Sequence, residues 1–462
     1  MTNKVFKSML FSVSLLCSIY VDGAAQENQK LTFKLTDCLN YAFQHSYEAR
    51  KAGFDAEESN ALLKETKGVL LPQVSASANL THNIKLPVTV VQDFPNPGES
   101  FSMALGTKNG ASAGIDLEQV LFDASLFTGI KMSKNAKELV RLKEAMTREE
   151  LIYNIGNAFY DIIYSQNLLE SSITTLSIMD SIYRKTELQV AQHITREIDL
   201  NRMKVNISNM KVDIQKTSAT VNQQMNYLKV LMGMPLSDDF RLSNDSELSF
   251  PYPNNTNHTD TEWNDKIELR ILDKQKESNR LEITQIKNAY LPSLSFVAST
   301  GYNFQSDKLN FGKSALWSNG TYIGVNLSVP IFDGTQKHYK IRQAQFRLKK
   351  TEEDIKQTQQ TILSNRQNAL AQLHIGYNAV NTQKENLEVA ENTYQQGIML
   401  YNEGLYSITD LLDTEKSFRE AQTAYTYELV NYQKSLLDLM KSEGTIDTLI
   451  EKSKYTLLNL KK

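Results

Sequence analysis

The feature that most constrains this chain is an internal duplication of a heptad pattern. In the first half, apolar or aromatic side chains recur every seven residues in two runs, over 162–190 and 200–228. The second half repeats both runs, over 373–401 and 411–439, at an offset of 211 residues (373 − 162 and 411 − 200). A sustained seven-residue period is typical of long helices that pack side by side. The sequence therefore predicts two copies of one helical hairpin.

The placement of proline indicates how long these helices can be. None of the nine prolines falls within 98–234 or 331–462, and proline disrupts helix interiors. The helical pattern is unbroken from residue 124 to about residue 192, a stretch that extends roughly 100 Å at ~1.5 Å per residue. A helix of that length exceeds a single globular core, so we expect it to pack against neighbouring helices along its length.

Two strand-like stretches precede each hairpin. They are predicted near 73–86 and 111–122 in the first half and near 293–304 and 321–332 in the second, with alternating apolar and polar residues. Each is long enough for a tilted membrane strand, which takes ~9–11 residues. The same alternation suits a soluble sheet with one buried face. In lipid, four strands leave open edges with unpaired backbone groups, so several copies of the chain would have to pool their strands.

The joints between strands and helices are duplicated as well. The repeated pairs are Leu71-Pro72 with Leu291-Pro292 and Phe122-Asp123 with Phe332-Asp333. These signals divide the chain into a first structural repeat at 26–232, a polar linker at 233–264 and a second repeat at 265–462. The predicted fold class is mixed α and transmembrane β, with an internal two-fold repeat.

The N-terminus indicates export. Residues 1–25 contain Lys4 and Lys7, an apolar core and small residues at the end, the pattern of a secretory signal peptide. Only Cys38 would remain in the mature chain, which excludes an intramolecular disulfide. No run of ~18 apolar residues follows, so no membrane helix is expected. The formal charge of −3 gives no argument for nucleic-acid binding.

The sequence contains no recognisable catalytic constellation. The six histidines are scattered, and the best metal-like spacing, from His193 to Glu197, lacks a third ligand nearby. There is no phosphate-binding glycine loop and no nucleophile elbow. We therefore expect neither an enzyme nor a cofactor or metal. From the residues alone, a pore-forming channel and an exported coiled-coil scaffold or adaptor without a pore both remain open.

Three groups of residues resemble the TolC-like outer-membrane efflux proteins, the outer-membrane factors of tripartite efflux or type I secretion systems. They are Gly-Leu-Tyr-Ser-Ile-Thr-Asp-Leu-Leu-Asp at 404–413, the duplicated joints, and Tyr-Leu-Lys-Val-Leu-Met-Gly at 227–233. The resemblance covers essentially the whole mature chain. It implies a homotrimer whose four strands per chain form one twelve-stranded barrel in outer-membrane lipid. An antiparallel α-helical coiled-coil barrel would continue it as a tunnel across the periplasm.

The resemblance also implies a passive exit duct for small molecules, drugs or secreted proteins. A periplasmic adaptor and an RND-type or ABC-type inner-membrane pump would be its partners. Asp410 and Asp413 match the family's acidic constriction at the closed tunnel end. Tyr401 and Asp199 match a tyrosine and an aspartate that tether one hairpin to the other.

Adaptor docking is implied at the two hairpin tips. The matching residues are His193, Ile194 and Thr195 in the first tip and Gly404, Leu405, Tyr406 and Ser407 in the second. Tyr406 stands where some members have arginine, and His193 stands where they have glycine. Without the resemblance, Asp410 is an ordinary charge near a helix start, and Tyr401 is ordinary heptad packing.

Overall fold

The computed structural model of the protein describes residues 31–92, 100–243, 266–309, 311–313 and 316–450. The predicted signal peptide and most of the predicted linker lie outside these residues. The described helices are α1 (Leu35–His45), α2 (Tyr47–Gly68), α3 (Ala124–Ala191), α4 (Glu197–Met232), α5 (Ile267–Asn288), α6 (Gln336–Asn402) and α7 (Ile408–Glu443). None of them combines the length and hydropathy of a membrane-spanning helix.

The helix bounds reproduce the duplication found in the sequence. Helix α7 repeats α4 at an offset of 211 residues at both ends (408 − 197 and 443 − 232), and α5 repeats α2 at an offset of 220 (267 − 47 and 288 − 68). The long helix α6 packs against α5 and α7, and the equivalent helix α3 packs against α2 and α4 and also against α5 and α7 of the second half. The predicted helical hairpins and the internal repeat are confirmed.

Polar side chains cap the starts of α3 and α7. The Asp123 carboxylate accepts hydrogen bonds from the backbone N–H groups of Ser125 (2.8 Å) and Leu126 (3.1 Å) at the start of α3. Ser407 caps α7 by accepting from the backbone N–H of Asp410 at 3.2 Å. Such caps satisfy N–H groups that have no partner within the helix, so α3 and α7 begin at defined residues.

A four-stranded antiparallel sheet lies at the end of the long helices that is opposite to the hairpin tips. Its strands are β2 (Gln73–His82), β5 (Asn109–Phe122), β7 (Ser293–Ser306) and β8 (Trp317–Ser328), in the order β2-β5-β7-β8. The pairing of β5 with β7 joins the two halves of the chain. A separate hairpin, β3 (Val88–Gln92) with β4 (Ser100–Ala104), lies in the first β-β connection.

Two predicted strand ranges were too long. The range 321–332 overruns β8, which ends at Ser328, because Pro330 has no N–H to donate to a sheet ladder. The range 73–86 overruns β2, which ends at His82, since the chain then turns toward Pro87 and β3. The hairpin of β3 and β4 and the short parallel pair of β1 (Leu31–Phe33) with β6 (Phe240–Leu242) were not predicted.

The apolar core is divided along the helices. One cluster lies where α1, the middle of α3 and the end of α4 meet the β1-β6 pair, and it includes Cys38, Phe159 and Leu228. A second cluster gathers α3, α4, α6 and α7 near the hairpin tips. A third cluster joins α6 to α7. The clusters hold the long helices together from the middle of α3 to the tips.

Candidate functional site

The four-stranded sheet has two chemically different faces. The strand register places Val74, Ile115, Thr300 and Ile323 on one face, since Val74 pairs with Leu117 and Thr300 pairs with both Ile115 and Thr321. Seven apolar side chains on this face are exposed in the single chain: Val74, Leu80, Ile115, Tyr302, Ile323, Val325 and Leu327. A contiguous exposed apolar surface of this kind marks contact with lipid or with another chain.

The opposite face carries serine, asparagine and glycine. It also carries Asp116 and Glu118, the only acidic or basic side chains of the four strands apart from His82 at the end of β2. Both carboxylates are exposed. All acidic charge in the sheet is therefore on one face, as expected for a sheet with water on one side and hydrocarbon on the other.

A bulge in β5 preserves the separation of the two faces. Val120 pairs with Ser295 and Phe122 pairs with Leu294, so Leu121 is an extra residue in the ladder. If β5 had no bulge and its side chains alternated strictly, Phe122 would lie on the polar face. The bulge keeps the aromatic ring on the apolar side at the point where the strand leads into α3.

The two hairpin tips lie at the other end of the helices and have the same turn. At the first tip the N–H of Ile194 donates to the carbonyl of Gln189 at 2.9 Å, and at the second the N–H of Leu405 donates to that of Leu400 at 3.0 Å. The turn requires a left-handed residue, which is His193 (φ 62°) in the first tip and Gly404 (φ 76°) in the second. Ile194 and Leu405 are exposed, at 67% and 72%.

Tyr401 links the two hairpins, although not to the predicted partner. Its buried hydroxyl lies 2.6 Å from the Thr186 Oγ1 on α3. Thr186 donates its single hydroxyl proton to the carbonyl of Ile182 at 3.0 Å, so the Tyr401 hydroxyl is the donor in the link. Tyr401 therefore bonds to α3 in this chain, and its predicted role with Asp199 as a tether between the hairpins stays a prediction.

Asp199 takes part in a different link between the hairpins. Its buried carboxylate accepts from the Arg196 Nε at 3.2 Å and lies 3.9 Å from an Arg202 nitrogen. Arg202 in turn donates to the Thr409 Oγ1 on α7 at 2.7 Å. Asp199 therefore holds the arginine that reaches the second hairpin.

A third polar contact lies beside the second tip. The Lys185 Nζ on α3 donates to the side-chain oxygen of Asn402 at 2.8 Å. Beneath the three contacts lies the apolar cluster of the tips, which includes Met179, Met203, Tyr394 and Leu411. Sequence reasoning missed Thr186, Lys185 and Arg202, because each lies on a different helix from its partner and the heptad pattern marks only apolar positions.

Asp410 and Asp413 lie on the exposed side of the first turns of α7, whereas Leu411 between them is buried. The Asp410 carboxylate accepts a hydrogen bond from the Ser407 hydroxyl at 2.6 Å. Their spacing of three residues places both carboxylates on one side of the helix. Both therefore face away from the apolar cluster of the tips.

The described residues bring no metal site together. Among them, no three histidine, cysteine, aspartate or glutamate side chains are close enough to hold a metal ion. Cys38 is a buried free thiol, and burial raises its pKa to about 12. Such a thiol is inert as a nucleophile.

The sequence of this chain is similar to those of known outer-membrane proteins. Residues 268–445 match the family model described as outer membrane efflux protein. The chain is also 20% identical over 418 residues to the outer membrane protein TolC of Escherichia coli (strain K12), which covers 87% of this chain and 80% of TolC. The second half of the chain thus matches the outer membrane efflux protein model, and most of the chain is similar in sequence to TolC.

Solved structures of outer membrane channels have the same fold as this chain. The Campylobacter jejuni CmeC outer membrane channel matches with a TM-score of 0.70 at 17% identity, over 90% of this chain and 88% of CmeC. The open state of the Neisseria gonorrhoeae MtrE outer membrane channel matches with a TM-score of 0.65 at 17% identity, over 89% of this chain and 88% of MtrE. The predicted family resemblance and the predicted fold class are confirmed.

Proposed function

We propose that this chain is one subunit of a trimeric outer-membrane channel that works as a passive exit duct. The observation that carries the proposal is the sheet: one face is apolar and exposed, the other holds all of its acidic charge, and the whole sheet is mounted on helices of roughly 100 Å. An apolar face that contacts lipid and an acidic face that contacts water are what the wall of a pore requires. The proposal includes no catalytic step.

The sheet edges support assembly from several copies. In the described sheet, β2 and β8 each have one edge without a partner strand. Such an edge is not tolerated in lipid, because its backbone groups find no water to bind. Pairing β2 of one copy with β8 of the next satisfies both edges, and three copies of four strands make a closed barrel of twelve.

Closure with the apolar face outward places Asp116 and Glu118 in the lumen. Three copies then supply six carboxylates to the barrel interior. Rings of acidic side chains favour the passage of cations. In the same assembly Asp410 and Asp413 form the acidic constriction at the periplasmic end.

We infer that the contacts between the hairpins hold the tip of the duct closed. The bonds from Tyr401 to Thr186, from Lys185 to Asn402 and from Arg202 to Thr409 hold α6 and α7 against α3 and α4. Opening the duct requires breaking them. Tyr401 takes part in the first link, and Asp199 contacts the arginine of the third, which supports the proposed role of both residues as gate tethers.

The exposed tips are the proposed docking surface for a periplasmic adaptor. They comprise His193, Ile194, Thr195, Gly404, Leu405, Tyr406 and Ser407, and their most exposed apolar side chains are Ile194 and Leu405. An inner-membrane pump of the RND or ABC type would supply the energy through the adaptor. The cargo is a small molecule, a drug or a secreted protein.

Planar-bilayer recording of the purified full-length protein tests the duct. We expect small, stable, cation-preferring conductance steps, together with a gel mobility that changes when the sample is boiled. A folded protein that gives neither result would favour the exported coiled-coil scaffold.

The acidic constriction has its own test. We expect Asp410→Asn combined with Asp413→Asn to lower the cation preference and to weaken block by multivalent cations, since both effects depend on the carboxylate ring. Asp213→Asn, which removes an exposed carboxylate from α4, serves as the control. Unchanged selectivity in the double variant would overturn the assignment.

A further inference from the structure

A carboxylate with no role in the proposed duct is buried close to the tips. The side chain of Glu415 on α7 has no exposed surface. It lies one turn after Leu411, which belongs to the apolar cluster of the tips. Two turns further on, Gln422 is hydrogen-bonded to Ser171 of α3. Because these positions recur on one side of a helix, Glu415 is directed at the seam between the hairpins.

The surroundings of Glu415 are mostly apolar. Tyr394 of α6 stacks on Phe418 with ring centroids 5.5 Å apart, and its hydroxyl lies 4.0 Å from the Met179 sulfur on α3. Among the described residues, the titratable groups that act on Glu415 are Arg419 of α7 and Tyr394 of α6. At this level α3 contributes the uncharged Met179.

The partner of Glu415 is poorly aligned with it. The Arg419 Nε lies 3.3 Å from the Glu415 Oε1, yet the two atoms form no hydrogen bond. Neither Glu415 oxygen nor the Arg419 Nε has a hydrogen-bond partner among the described residues. A buried charge that lacks hydrogen bonds is expensive, and loss of the charge by protonation removes most of that penalty.

The direction of the pH effect follows from this burial. Burial raises the pKa of Glu415, and the nearby Arg419 lowers it only in part. Parting of the hairpins would hydrate the carboxyl and restore its ordinary pKa of about 4.3. The closed seam therefore binds the proton more tightly than the open one. The stability that protonation of Glu415 gives to the closed seam is fully present below the ordinary pKa. It is lost as the pH rises through the raised pKa of the closed seam.

We propose that Glu415 is a proton-sensitive latch between the two hairpins. When protonated, it allows the seam near the tips to pack closely. When ionised, it draws water into the seam and favours separation of α7 from α3. The latch concerns the packing of the hairpins, and its effect on transport rests on the proposed duct.

Distance measurements between the tips test the latch without requiring conductance. Nitroxide labels at Ile194→Cys and Leu405→Cys, in labelled subunits diluted with unlabelled ones, report the separation of the tips by electron spin resonance. We expect the fraction of long distances to rise several-fold from pH 5 to pH 8. Glu415→Gln should keep short distances at both pH values, because the amide is neutral and has nearly the same volume.

Two further variants separate a latch from a packing effect. Arg419→Gln removes the cation that lowers the pKa of Glu415, so the transition should move to higher pH. Glu420→Gln removes an exposed carboxylate from the same helix and should follow the wild type. An equal pH response in wild type and Glu415→Gln, or an unshifted transition in Arg419→Gln, would overturn the latch. Absent conductance with an intact pH response would overturn only the duct.

Discussion

Removal of one hydroxyl group should loosen the closed tip measurably. In Tyr401→Phe the ring remains to fill its buried site, and only the 2.6 Å hydrogen bond to Thr186 is lost. Thr186 still donates to the Ile182 carbonyl, so no unsatisfied donor is created. The closed tip then loses the net stabilisation of one ordinary hydrogen bond, about 1 kcal/mol per subunit. This loss corresponds to roughly a fivefold change in the ratio of closed to open tips.

The assay is the open probability of single channels in a planar bilayer. If the three subunits move together, the effect rises to about 3 kcal/mol, more than a hundredfold in that ratio. Tyr227→Phe, at an exposed tyrosine of α4, is the matched control. Thr186→Val combined with Tyr401→Phe completes a double-mutant cycle that should yield a coupling of about 1 kcal/mol. An open probability equal to that of the control, with no coupling in the cycle, would show that Tyr401 only fills space.

Three other predictions follow from the site and the helices. His193→Gly should stabilise the protein by about 1 kcal/mol in chemical denaturation, because glycine adopts the left-handed turn without the strain of a Cβ atom. Asp116→Asn with Glu118→Gln should reduce the ratio of cation to anion permeability in a bilayer while leaving the open probability unchanged. Burial raises the pKa of Glu149 to about 7, with further contributions from nearby carboxylates. A raised pKa stabilises the fold at low pH, so thermal stability should fall as the pH rises toward 7, and Glu149→Gln should flatten that dependence.

Much of the helical architecture follows from the sequence, because the heptad period and the absence of proline act locally. The duplication even fixed the relative bounds of α4 and α7, since an offset of 211 in the sequence is the same offset in the structure. The ends of the strands were less predictable. Alternation continues through Val329 and Ile331, yet β8 stops at Ser328, which lies opposite the first residue of β7 and two residues before Pro330.

The contacts between the hairpins were beyond the reach of sequence reasoning. Tyr401 was identified as a linking residue, but its partner Thr186 is one of several hydroxyl residues on α3, and nothing in the sequence distinguishes it. Arg202 and Thr409 likewise meet only because of how two separate helices pack. Burial of Glu415 was also unexpected, because a glutamate at a heptad-flanking position is normally a solvated charge.

The pairing of β5 with β7 has a consequence for how the protein is made. The paired residues are far apart in the chain, from Asn109 with Ser306 to Phe122 with Leu294. Contacts at such separations form late, because a long loop must close first. During secretion the first two strands emerge well before their neighbour, with an apolar face and an unpaired edge that favour aggregation. For the proposed exported channel, we therefore expect that β2 and β5 need protection until the second half has crossed the inner membrane.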